Sequence, residues 1–78
     1  MNVSPLNPMI EMTALFYGRP GAGASDESVA AWYRAKGRMH EQVAAKGGPD
    51  AAQEFAYAAA SYEHARRIEL RVSTELAA

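Results

Sequence analysis

The tetrapeptide Lys46-Gly47-Gly48-Pro49 limits what this chain can fold into more than any other feature. On either side of it runs a proline-free segment long enough for several helical turns, and a link this short leaves consecutive helices antiparallel. Gly47 suits the left-handed position that closes a helix, and Pro49 suits the first position of the next one. The expected fold is therefore all-α: an antiparallel helix hairpin with helices at about 26–46 and 49–76, preceded by a short helical arm.

The start of the hairpin is marked just as plainly. Ser25 can cap free N–H groups, and Asp26 and Glu27 follow in the first turn, where the helix dipole favours negative charge. Upstream, Gly18 to Ala24 holds three glycines and a proline and reads as a linker. Before it, Asn7-Pro8 is a helix start and Gly18 a stop, which predicts an arm helix over 8–17. Residues 1–24 thus form an arm and linker, and residues 25–78 the hairpin.

Helical periodicity gathers Val29, Trp32, Ala35, Met39 and Val43 on one side of the first hairpin helix. On the second it gathers Ala51, Phe55, Ala58, Tyr62, Ala65, Val72 and Leu76. Folding the chain about Gly48 sets residues whose numbers add to about 96 at one height. Val43 is then expected to meet Ala52, Met39 to meet Ala58, and Trp32 to lie near Tyr62 and Ala65. The repeat Ala51, Ala58, Ala65 predicts a close approach of the helices, and Gly37 is a second candidate for one.

Two helices of this size leave apolar surface over. A chain of 78 residues buries only about 60% of the surface that its unfolded form exposes, and cysteine is absent, so no disulfide compensates. Val72 and Leu76 overhang the shorter first helix, and Trp32, Phe55, Tyr62 and Ile68 keep flanks free. The arm, with Leu15 and Phe16, is one available cover and a second protomer is another. A homodimer forming a four-helix bundle is expected, with Trp32, Met39, Phe55, Tyr62, Ile68, Val72, Leu76, Leu15 and Phe16 at its interfaces.

Charge favours no partner class, with eight Lys plus Arg against nine Asp plus Glu. Arg66, Arg67 and Arg71 form the densest basic cluster and are the candidate nucleic-acid contacts of an alternative reading. Glu63 and Glu75 stand one turn from Arg67 and Arg71, so a solvated, ion-paired face is the simpler expectation. Glu69 interrupts the apolar stripe and is expected at its rim, or else paired across a subunit interface. Lys36 is read as a snorkelling side chain.

The stretch Gly18 to Ser25 resembles the phosphate-binding loop of ATPases, with Gly18, Gly23 and Ser25 matching Gly-x-x-x-x-Gly-Lys-Ser/Thr. Its lysine is replaced by Ala24, which removes the charge that meets the terminal phosphates, so a plain linker is expected. His40 and His64 fit no metal-ligand spacing and are expected apart and facing solvent. No side chain has a base placed to activate it. The chain is accordingly read as a non-enzymatic interaction or self-association module without cofactor or metal. The alanine-rich composition suggests a bacterial source. With no basic residue ahead of Met9 to Tyr17 and no span of membrane length, a soluble cytoplasmic protein is expected.

Overall fold

The computed structural model describes residues 15–77, and all regular structure among them is helical. Helix α1 spans Asp26–Ala45 and helix α2 spans Ala51–Ala77. Residues 15–17 are helical and Gly18 turns the chain, where the arm helix is expected to end. The expected start of that helix at Pro8 lies outside the described residues. Neither described helix is long and apolar enough to cross a membrane.

Local chemistry sets the helix ends. The Ser25 hydroxyl accepts a 3.1 Å hydrogen bond from the Ser28 backbone N–H, which satisfies one of the unpaired donors of the first turn. At the other end of α1 the Lys46 and Gly47 N–H groups tighten onto the Val43 and Ala44 carbonyls, at 3.2 and 3.0 Å. The chain then reverses through Gly47 at φ +80° and Gly48 at φ +99°, backbone that side-chain-bearing residues rarely adopt. Helix α2 begins at Ala51, later than the expected Pro49. The Ala51 N–H closes a tight turn onto Gly48, and regular winding starts with the Glu54 bond to Asp50.

The register agrees with the sequence, and the rotation of α1 does not. Asp26 reaches Arg71, Tyr33 lies against His64, and His40 lies against Tyr57, so residues adding to about 97 are level. In that register two rows of small residues face each other. On α1 the row is Ala30, Gly37 and Ala44, all buried; on α2 it is the half-buried Ala51 with the buried Ala58 and Ala65, the last fully sequestered at 0% exposure. Both rows repeat every seventh residue, the spacing that keeps a side chain in one seam between paired helices. Between the α2 alanines lie Glu54, Ser61 and Ile68, which complete the alternating three-and-four pattern.

The larger stripe of α1 points elsewhere. Met39 is about half a helical turn away from Ala30 on the wheel, and it is buried in a groove with Leu15, Phe16, Arg19, Trp32 and Lys36. The expected contacts of Met39 with Ala58, and of Trp32 with Tyr62 and Ala65, are thus overturned. Helix α1 stands in the middle of the fold, with its small residues, flanked by Val29 and Tyr33, toward α2 and with Trp32 and Met39 toward the arm. The Trp32 indole N–H donates to the Leu15 carbonyl at 2.9 Å, which fastens the end of the arm onto α1. Arg19 and Lys36 sit over the same indole, at 5.7 and 5.5 Å from its centre.

Gly37 is where the seam is tightest. A Cβ there would lie 2.7 Å from the nearest Tyr62 ring carbon and 2.9 Å from two others. Replacing a mid-helix glycine by alanine ordinarily gains about 1 kcal/mol, but overpacking costs about 1–3 kcal/mol. Gly37→Ala should therefore destabilise the hairpin in urea denaturation, by roughly 1 kcal/mol net. In a Tyr62→Ala background the same change should become stabilising, because the ring it strikes is gone.

Candidate functional site

The residues expected at an interface divide into three groups. Leu15, Met39 and Ile68 are buried within the chain. Trp32, Tyr62 and Val72 are half-buried, Trp32 under the arm and Tyr62 over Gly37. Phe16, Phe55 and Leu76 remain open, Phe55 at 53% and Leu76 at 83% exposure. Tyr17, Tyr57 and Leu70 are exposed as well and were not singled out by periodicity. Phe55 belongs to the predicted stripe and yet lies outside, because the seam is centred on Ala58, Ser61 and Ala65. The single patch expected from Trp32, Phe55, Tyr62 and Ile68 does not form: Trp32 faces the arm, while Phe55 lies on the outer side of α2.

Polar contacts line both flanks of the seam. On one flank Arg34 makes a two-pronged ion pair with Glu69, and the Tyr62 hydroxyl donates to Glu41. Glu69 therefore lies at the rim, as one of its two expected placements had it, and its Arg34 hydrogen bond holds its carboxyl below the usual carboxylate range. Both partners are well exposed, so the pair adds little stability.

The other flank carries what sequence reasoning missed. Tyr33 and His40 are seven residues apart on α1, and Tyr57 and His64 are seven apart on α2. Antiparallel register crosses them into two tilted ring pairs, Tyr33 with His64 at 4.2 Å and His40 with Tyr57 at 5.3 Å between ring centres. Between these pairs lies an open cleft of about 250 Å³, floored by Ala60 and Ser61 and edged by Lys36. The histidines are level with the residues expected, but they share this cleft rather than standing unrelated. His40 is also not a solvent-facing side chain. It is largely buried, and its Nδ1 lies 2.5 Å from the Glu54 carboxylate, to which it must donate. The readable signal was the Tyr-x6-His spacing on both helices.

The arginine cluster is engaged. Arg66 and Arg67 share Glu63 at 3.2 and 3.3 Å, and Arg71 reaches Asp26 at 3.4 Å across the hairpin, where Glu75 was the expected partner. In the glycine-rich linker the Ala24 N–H closes a turn onto Gly21, and the Ser25 hydroxyl donates to Ser28 Oγ while capping α1. No group of three His, Asp or Glu side chains arranged to hold a metal occurs among the described residues.

Tyr62 offers a direct titration test. Burial, then the hydrogen bond to Glu41 and the charge of that carboxylate, push its phenol up to about 12. A group whose folded pKa is raised stabilises the fold below its unfolded pKa and loses that contribution as pH climbs through the folded one. Stability should thus fall between about 10 and 12. Ultraviolet titration should resolve one late-ionising tyrosine, and Glu41→Gln should move that step toward the ordinary tyrosine range.

The chain matches no protein-family model, no curated protein and no solved structure.

Proposed function

We propose that this protein is a non-enzymatic helical interaction module that self-associates through the outer face of α2, forming a dimeric four-helix bundle. The observation that carries this reading is the exposure of Phe55 and Leu70, each at 53%, on one side of α2, with the Glu63–Arg66 ion pair between them. The two stand about four turns apart and within about 60° on the helix wheel. Ala52, Ala56 and Ala59 are exposed on the same side of α2. The internal seam is built largely from alanine and glycine, with Ile68 its one buried large aliphatic side chain on α2, so it removes little apolar area from water, and a chain this small gains from covering more.

The face is self-complementary. An antiparallel pairing of two α2 helices about the Tyr62–Glu63 level would set Phe55 of each copy against Leu70 of the other. Glu63 would then approach the arginine-bearing turn of its mate. Such a two-fold arrangement uses each large residue twice, as isologous interfaces do. The nucleic-acid reading has weaker support, since Arg66, Arg67 and Arg71 each already face an acidic partner.

Sedimentation equilibrium should give a mass about twice 8.4 kDa. Burying a Phe or Leu side chain is worth roughly 1.5–3 kcal/mol, so Phe55→Glu or Leu70→Glu should weaken association at least about tenfold. Helix content should be retained, because both residues are outside the seam. A wild-type monomer at concentrations on the order of 100 μM, or unchanged association of both variants, would contradict the proposal.

A further inference from the structure

We propose that the cleft between the crossed tyrosine–histidine pairs is a binding site for a small planar carboxylate, a single aromatic or heteroaromatic ring bearing one acid group. The cleft lies on the opposite flank of α2 from Phe55, since Tyr57 is about 200° further round the helix, so the site is independent of the self-association face.

Its shape follows from the two seven-residue spacings. Seven residues advance a helix by about 10 Å, which separates the Tyr33–His64 pair from the His40–Tyr57 pair. Midway between them α2 offers only Ala60 and Ser61, so a gap remains with aromatic rings at each end and a small-residue floor. A volume of about 250 Å³ falls below the roughly 300–1,000 Å³ of sites for drug-sized ligands. One ring with one substituent is the appropriate size.

The choice of an acid comes from the donors. No Asp or Glu lines the cleft, and the Glu54 carboxylate is held by His40. Lys36 pairs with no acid among the described residues, and its ammonium lies 5.9 Å from the Tyr33 ring centre at the cleft edge. Ser61 is buried at 5% exposure, yet its hydroxyl makes no hydrogen bond to a described residue, and it faces the cleft. That hydroxyl is not sealed from solvent, so a ligand oxygen in the cleft can take the place of water on it. Tyr57 accepts a hydrogen bond from Gln53 at 2.7 Å, which leaves its own proton free to donate. Lys36, Ser61 and Tyr57 are thus an ammonium and two hydroxyls in a cleft lined by no carboxylate, set between aromatic walls.

Benzoate is the probe, with benzamide as the uncharged isostere and acetate as the acid without a ring. Titration into isotope-labelled full-length protein, followed by NMR, should shift the Tyr33, Tyr57, His40 and His64 ring signals saturably. The dissociation constant should be on the order of 1 mM for so few atoms. Benzamide and acetate should each bind at least about tenfold more weakly, since each lacks one half of the recognition. Lys36→Met keeps the apolar stem and should weaken benzoate at least about tenfold, and Ser61→Ala about threefold or more. An unchanged fingerprint spectrum in each variant separates these losses from unfolding. Absence of a saturable shift, equal binding of benzamide or acetate, or benzoate affinity unaffected by both variants would overturn the assignment.

Discussion

The contact between two rows of small side chains governs this molecule. Ala30, Gly37 and Ala44 on α1 meet Ala51, Ala58 and Ala65 on α2, with Ile68 and the Tyr62 ring packed into the same contact. Close packing of this kind is specific but poor in buried apolar area, because an alanine contributes a single methyl group. The remaining apolar side chains must therefore find cover elsewhere. Trp32 and Met39 find it beneath the arm, through Leu15 and the indole hydrogen bond to its carbonyl, while Phe55, Leu70 and Leu76 find none within the described residues.

The same seam explains why polar side chains are concentrated at its edges. With the helices close together, long side chains on the flanks can bridge from one helix to the other, which gives Arg34–Glu69, Tyr62–Glu41, His40–Glu54 and Arg71–Asp26. Each bridge is modest in energy, the exposed ones especially. Together they define register: sliding one helix by a turn would separate every one of these pairs at once. The cleft between the tyrosine–histidine pairs is a by-product of the same geometry, since it opens where the flank residues of α2 are as small as those of the seam.

Much of the fold was legible in the sequence, and the reasons are local. Ser25, Gly47-Gly48 and Pro49 act through backbone geometry and capping, so their meaning does not depend on what packs where. Register follows from the loop length alone, and it held to within a residue at the Tyr33–His64 and Asp26–Arg71 pairs. The rotation of α1 was not legible, because hydropathy weights Trp32 and Met39 far above Ala30, Gly37 and Ala44. That weighting ranks the stripe that covers most area, whereas the helix–helix contact selected the stripe that permits closest approach. The heptad of Ala51, Ala58 and Ala65 was visible on one helix; its counterpart on the other was the missing half of the inference. The cleft escaped for a related reason, since Tyr33 and Tyr57 fall on neither large stripe and acquire their histidine partners only when the helices cross.

Nuclear Overhauser contacts between side chains test the seam most directly, since they report which face of α1 meets α2. Cross-peaks from the Ala30 methyl to the Ala65 methyl and from the Gly37 α-protons to the Tyr62 ring are the predicted pattern. Cross-peaks from Met39 to Ala58 and from the Trp32 ring to Ala65, in their place, would show α1 turned the other way and contradict the account.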